Sequence, residues 1–165
     1  MQMPICEICL NSDILCSGCQ KKLEEGRITQ DDVDVSRMLF EMSERIKSLK
    51  DVKMKKAMNS EILVLVAGKG DGAKLVGKSG VVVKALAKKY EKPIRVLEEG
   101  EFRTFVQNII QPVPLEGINT LYSSEGEVLK VRLPLSQKNR LLFSEETFRN
   151  LIKDVYNKDA ELVFE

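Results

Sequence analysis

Two glycines, Gly77 and Gly80, constrain the fold of this chain more than any other feature. The four residues 77–80 read Gly-Lys-Ser-Gly, and we call them the GKSG loop. Apolar runs at 62–67 and 94–97 lie on either side of the loop and predict two strands. Because glycine accepts backbone conformations that other residues avoid, glycines at this spacing predict a tight turn. The segment is therefore predicted to be a strand, a short helix, a turn, a helix and a strand.

Three nucleotide-binding interpretations compete for the residues around the loop. Residues 68–73 fit the G-x-G-x-x-A fingerprint of dinucleotide-binding folds, and Glu98 lies at the end of the next predicted strand. Residues 72–79 fit the phosphate-loop pattern G-x-x-x-x-G-K-S. The third interpretation is the KH fold, in which a G-x-x-G turn between two helices clamps a nucleic-acid backbone.

Helix energetics and burial favour the KH interpretation. A dinucleotide fold needs an unbroken helix after its glycines, but Gly77 and Gly80 would lie inside that helix and each cost about 1 kcal/mol relative to alanine. In a phosphate loop, the apolar Leu75 and Val76 would face a nucleotide, although such side chains belong in a core. In a KH fold, residues 73–76 form a one-turn helix that buries both, and the GKSG loop stays free to approach a sugar–phosphate backbone.

Positive charge is concentrated around the loop, although the net charge of the whole chain is only +1. Residues 68–95 carry eight Lys or Arg against two acidic residues, which gives a local charge of +6. Lys78 lies within the loop, and Lys74 and Lys84 flank it. Such a concentration is typical of a surface that binds nucleic-acid phosphates.

All four cysteines lie close to the start of the chain, as two Cys-x-x-Cys pairs. Four thiolates in this pattern suit one tetrahedral zinc ion, and because they saturate the ion, the site would be structural. A segment this short cannot bury a core, so metal binding would supply most of its folding free energy. A rubredoxin-like iron site, disulfides and a redox dithiol are the alternatives. The predicted zinc ligands are Cys6, Cys9, Cys16 and Cys19.

Residues 61–99 resemble the KH RNA-binding domains of the archaeal NusA-like type, with Leu-Val-Gly-Lys-Ser-Gly where that family has Ile-Gly-Lys-x-Gly. The four-cysteine leader is similar to that of archaeal RNA-binding proteins that join a zinc finger to a KH domain. The resemblance implies that single-stranded RNA or DNA lies across the loop, with about four nucleotides in an adjoining groove. The predicted RNA-binding residues are Gly77, Lys78, Ser79, Gly80, Lys74 and Lys84.

An amphipathic helix is predicted between the cysteines and the loop. Apolar residues recur there at three- and four-residue steps. Thr29 is a suitable N-cap, and the helix is expected to continue to about Met58. Its expected role is to link the zinc knuckle to the following domain.

The C-terminal part of the chain repeats the central segment at a constant offset, which aligns Leu86 with Ile152 and the GKSG loop with residues 143–146. There Phe143 and Glu146 replace the two glycines, and they would block and repel a phosphate. A hairpin through residues 124–126 is predicted ahead of this segment. We interpret the C-terminal part as a second, degenerate KH-like unit that does not bind RNA; chance similarity between two small αβ segments is the alternative.

The sequence as a whole predicts a non-enzymatic, RNA-binding α+β protein. Histidine is absent, which excludes Ser-His and Cys-His nucleophile pairs. No apolar run is long enough to span a membrane and no signal-peptide pattern is found, so a soluble, cytoplasmic protein without membrane partners is expected. The resemblance implies a role in transcription elongation or antitermination, or in ribosome assembly and translation. A zinc-containing adaptor that docks on such machinery is the alternative, and a nucleotide-binding enzyme is a third. The predicted organisation is a zinc knuckle (1–26), a helical linker (27–60), a KH core (61–99) and the degenerate KH-like unit (100–165).

Overall fold

The computed structural model describes residues 1–165 as an α+β chain with two compact units. Unit 1 comprises Met1–Asn59 and Leu63–Glu99, and unit 2 comprises Ser60–Ile62 and Gly100–Glu165. Each unit contains one three-stranded sheet. None of the helices is both long and apolar enough to cross a bilayer.

Unit 1 packs its helices around two apolar clusters, one that includes the sheet and one around the cysteine-containing segment. The central strand of the sheet is completely buried, as expected for its uninterrupted apolar sequence. Its elements in chain order are α1 (Glu7–Leu10), α2 (Ser17–Glu24), α3 (Gln30–Met42), a 3₁₀ turn (Lys47–Leu49), β1 (Met54–Asn59), β2 (Leu63–Ala67), α4 (Gly72–Val76), a second 3₁₀ turn (Lys78–Gly80), α5 (Val81–Tyr90) and β3 (Ile94–Glu98).

Helix α3 begins where the sequence predicts, but it ends much earlier. Thr29 and Asp32 form a capping box, in which each side chain accepts a hydrogen bond from the other residue's backbone N–H. The prediction that the helix continues to about Met58 is wrong, because it ends at Met42 and residues 54–59 form strand β1. The apolar spacing that suggested a longer helix continues into the 3₁₀ turn, where Leu49 reaches the same core cluster. Periodicity reports which side chains are buried, not whether one helix buries them.

Unit 2 has the same kind of sheet with a helix packed on it. Strands β4 and β5 form a hairpin whose two-residue loop is Ser124-Glu125, at the position that the sequence predicts. The elements of unit 2 are α6 (Phe102–Ile110), β4 (Gly117–Ser123), β5 (Gly126–Leu133), a 3₁₀ helix (Leu135–Arg140), α7 (Glu145–Tyr156) and β6 (Asp159–Phe164).

The two sheets share strand order and strand directions, and their parallel ladders share register. In each sheet the middle strand pairs antiparallel with the strand before it and parallel with the strand after it. The parallel ladder of unit 1 aligns Leu63 with Ile94, and that of unit 2 aligns Leu129 with Ala160. The offset that relates Leu86 to Ile152 also relates the two ladders. When it is added to both residue numbers of any pair in the first ladder, the result is a pair of the second ladder.

The helices that precede the last strands also match at this offset. Leu86 in α5 and Ile152 in α7 are both fully buried. Both helices then end in a left-handed residue, Glu91 with φ of 55° and Asn157 with φ of 54°. The offset found in the sequence is therefore an offset of backbone structure and not a coincidence of residue letters.

Candidate functional site

The two cysteine pairs occupy equivalent positions at the starts of two helices. Cys6 precedes α1 with φ and ψ of −73° and 164°, and Cys16 precedes α2 with −68° and 166°. The second cysteine of each pair, Cys9 or Cys19, lies within the helix and is buried. Two similar turns thus bring four sulfurs to one point.

The spacing of the sulfurs fits a single tetrahedral ion. All four Sγ atoms lie within 4.8 Å of one another. The Sγ atom of Cys6 lies 3.4 Å from that of Cys9 and 3.8 Å from that of Cys16. A tetrahedron with metal–sulfur bonds of about 2.3 Å has sulfur–sulfur edges of about 3.8 Å. The cysteines form no disulfide, so the four side chains can hold a metal ion.

Backbone N–H groups surround the sulfurs in a matching pattern. The Sγ of Cys9 accepts from the N–H of Cys16 (3.1 Å), and the Sγ of Cys19 accepts from the N–H of Cys6 (3.4 Å). Within the second pair, the Sγ of Cys16 accepts from the N–H of Cys19 (3.4 Å). Donors aimed at sulfur favour the thiolate, which is the form that binds metal.

The pKa values of the thiols depend on these donors and on burial. The N–H of Cys19 and the neighbouring thiols lower the pKa of Cys16 to about 6. The N–H of Cys16 favours the Cys9 thiolate, but burial and the other three sulfurs outweigh it and raise the pKa of Cys9 to about 12. A bound cation would displace the remaining protons, so the affinity of the cluster for a metal ion falls as the pH falls.

The GKSG loop has a backbone conformation that requires its glycines. Gly77 has φ of 80° and ψ of 166°, and Gly80 has φ of 73° and ψ of 22°. A Cβ added to Gly77 would lie 2.8 Å from side-chain atoms of both Val81 and Val82. Ser79 is itself left-handed with φ of 56°, so the turn between the two helices is unusually tight.

Helix α5 begins at this loop with Val81, whose N–H donates to the carbonyl of Lys78. No side chain caps its N-terminus, and the first N–H groups of a helix have no partners within it. Lys78 and Ser79 are exposed in the loop, and Lys84 is exposed one turn into the helix. Neither of these lysines forms an ion pair.

Lys74, which was also predicted as a flanking RNA contact, forms ion pairs within the protein. Its Nζ lies 3.2 Å from Asp71 and 3.3 Å from Asp51. Hydrogen bonds to these two carboxylates, that of Asp71 first, raise the pKa of Lys74. Two neighbouring carboxylates therefore offset the charge that Lys74 would offer a phosphate.

The backbone N–H groups of two glycines before the loop donate to a carboxylate of the protein itself. Glu98 accepts hydrogen bonds from the N–H groups of Gly70 (3.3 Å) and Gly72 (3.0 Å) at the start of α4. A Cβ on Gly72 would lie 2.7 Å from the same carboxylate. The helix ends after five residues, and Leu75 within it is fully buried. The geometry therefore matches neither an unbroken dinucleotide-binding helix nor a phosphate loop.

Backbone N–H groups at the start of α7, the helix of unit 2 that corresponds to α5, also have partners within the protein. Ser144 caps α7 by accepting from the N–H of Thr147 (3.2 Å). Glu61 accepts from the N–H of Ser144 (3.3 Å) and from the Thr147 hydroxyl (2.6 Å). The Thr147 hydroxyl, with the donors of Ser144, lowers the pKa of Glu61 to about 2. Sequence reasoning missed Glu61, because it lies far along the chain from the helix that it caps.

Comparison with known proteins adds information about the fold only. No family model matches the chain, and no curated protein matches it. A solved structure titled "Crystal structure of APE1850" is similar, with a TM-score of 0.53 and 17% sequence identity. The match covers 69% of this chain and 88% of that one, so the arrangement of elements recurs in another protein.

Proposed function

We propose that the chain is an RNA-binding protein of the KH type, which holds single-stranded RNA across the GKSG loop of unit 1. The observation that carries this proposal is the N-terminus of α5, which no side chain caps, behind a tight, glycine-dependent turn. Backbone N–H groups there would donate to phosphate oxygens, and Lys78 would add a charge-assisted contact. Lys84 would contribute from the next turn, whereas Lys74 would contribute little.

The contrast with the starts of α4 and α7 supports the choice of this loop. Glu98 fills the start of α4, and Glu61 with Ser144 fills the start of α7. A helix start that already holds a carboxylate has its donors occupied and repels a second anion. We therefore assign RNA binding to unit 1 and propose that unit 2 is a degenerate KH-like repeat without this activity.

The cysteine cluster has a structural role in this proposal. Four sulfurs at tetrahedral spacing would saturate one zinc ion, which leaves no position for a reacting water. The ion would hold α1 and α2 together in a segment too short to form a large core. Native mass spectrometry should find one zinc per chain, and its release on acidification would follow from protonation of the thiolates.

RNA-binding measurements on two matched double variants test the function. Fluorescence anisotropy with a labelled single-stranded RNA should give micromolar-class affinity for the wild type that weakens as salt is raised. The variant Lys78→Asp with Ser79→Asp should bind at least about tenfold more weakly, because it places two carboxylates in the phosphate path. The control, Lys138→Asp with Asn139→Asp, makes the same change in net charge at exposed positions of unit 2.

The control should retain affinity within about threefold of the wild type. Equal losses in both double variants would show that only overall charge matters, and the loop assignment would fail. Absence of RNA binding by the wild type would reject the function itself. The cellular process, transcription elongation and antitermination or ribosome assembly, is proposed from the sequence resemblance alone.

Two exposed side chains favour a second candidate function, a zinc-containing protein-interaction adaptor. Ile8 and Ile14 are 74% and 78% exposed, and both lie in the cysteine-containing segment. Two exposed aliphatic side chains in one short segment would give a partner protein apolar surface to bury. If the wild type binds no single-stranded RNA while the cluster holds zinc, the adaptor becomes the better interpretation.

A further inference from the structure

Arg37 lies on the face of α3 that packs against the cysteine segment. Val33 on the preceding turn is fully buried in the same cluster as Cys9 and Cys19, and Phe40 on the next turn packs against that cluster. Residues at these spacings share one side of a helix. An arginine in the middle of an apolar face is unusual, because its guanidinium must leave water to lie there.

Not every nitrogen of the Arg37 guanidinium has a hydrogen-bond partner within the protein. Its Nε donates to the backbone carbonyl of Cys9 at 3.2 Å. Its Nη2 is buried and has no hydrogen-bond partner, a condition shared by only one other side-chain atom of the chain. Arg37 forms no ion pair with any carboxylate. Arg37 as a whole is half-buried, but burying part of a guanidinium without a partner or a counter-charge is costly, so a nearby anion is expected.

The cysteine cluster supplies such an anion when it holds a metal ion. Four thiolates and one divalent cation sum to a formal charge of −2. We propose that Arg37 is a positioning residue of the metal centre: it orients the Cys9 carbonyl through Nε and offsets the excess negative charge of the loaded cluster. This inference rests on the proposed metal site, and it assigns to α3 a residue that tunes metal affinity without ligating the ion.

Metal affinity of the full chain is the direct test. Zinc binding is measured by competition with a chromophoric chelator for the wild type and for Arg37→Met, which keeps most of the apolar stem and removes the charge. The Arg37→Met variant should bind zinc about 10- to 100-fold more weakly, as is usual when a group supporting a ligand is lost. Arg37→Lys should recover part of this loss, because it restores the charge but not the hydrogen bond to Cys9.

The control is Arg45→Met, which removes an exposed cation of the same unit and should leave zinc affinity unchanged. Equal zinc affinity in Arg37→Met and the wild type would overturn the proposal, even if Arg37→Met melts at a lower temperature. If Arg37→Met does not fold, the Arg37→Lys variant decides the question. If Arg37→Lys binds zinc as weakly as the unfolded Arg37→Met chain, the charge of Arg37 has no role. Failure of the wild type to bind zinc would instead reject the metal site itself.

Discussion

The two glycines of the GKSG loop differ in one backbone angle, and this difference separates their tolerance to substitution. Gly77, with ψ of 166° at positive φ, lies in a region that is essentially restricted to glycine. Gly80, with ψ of 22°, lies in the left-handed helical region that asparagine also adopts. The nearest atom to an added Cβ is 3.5 Å away at Gly80, but only 2.8 Å away at Gly77.

We therefore expect unequal costs in stability at these two positions. Gly77→Ala should lower the free energy of unfolding by about 3 kcal/mol, since it combines backbone strain with overpacking against two valines. Gly80→Asn should cost no more than about 1 kcal/mol. Urea unfolding of the full chain measures both, and equal costs would contradict the conformations described here.

Glu61 should make the stability of the chain depend on pH in the acidic range. Its pKa is lowered to about 2, so its contribution is fully present above the ordinary pKa of glutamate, about 4.3, and is lost as the pH falls toward 2. Glu61→Gln should cost about 1 kcal/mol or less at pH 7, because solvent screens this exposed carboxylate. The free energy of unfolding should lose this acidic pH dependence in Glu61→Gln. It should keep the dependence in Glu127→Gln, which changes an exposed position of the hairpin.

At the scale of elements, the sequence predicted best the segments whose burial is local. Strand β2, the short helix α4 and helix α7 lie where the apolar patterns indicate. Strand β1 was mistaken for helix because its conformation depends on pairing with β2, which no local pattern reports. The glycines at 68–72 were also ambiguous, since they serve the Glu98 carboxylate and only the fold brings that residue to them.

Asp32 joins an element boundary to the sheet and should be costly to remove. Its carboxylate is 2% exposed and accepts from the N–H groups of Thr29 (2.9 Å) and Ala57 (2.7 Å). Asp32→Ala leaves the Ala57 donor buried without a partner, so we expect a loss of about 2–3 kcal/mol in unfolding free energy. Asp34→Ala, at an exposed position of the same helix, should cost no more than about 0.5 kcal/mol in the same urea titration.

At the scale of the whole molecule, the candidate sites differed in how far the sequence could reveal them. The cysteine cluster is local, with all of its ligands between Cys6 and Cys19, so spacing alone predicted it. The tight glycine turn of the GKSG loop was also predicted from the sequence. The carboxylates at the starts of α4 and α7, the pairing of Lys74 and the position of Arg37 depend on residues brought together by folding.

Metal removal should affect the chain unevenly. A chelator should reduce the protection of residues 1–24 against hydrogen exchange, since the proposed metal ion would supply much of the stability of their elements. Strands β4 and β5 should keep their protection, because the hairpin and its sheet contain no cysteine. Mass spectrometry of exchanged peptides measures both regions, and unchanged protection of residues 1–24 would show that the segment folds without metal.

The constant offset between the two sheets has a consequence for the origin of the chain. From the middle strand to the last strand, the two units contain the same number of residues between paired positions. The antiparallel hairpins, by contrast, differ in length. Duplication of one ancestral gene segment leaves such equal spacing when the length of the two copies is preserved while their side chains diverge. The glycine turn and the Glu61-capped helix would then be two descendants of the same ancestral loop.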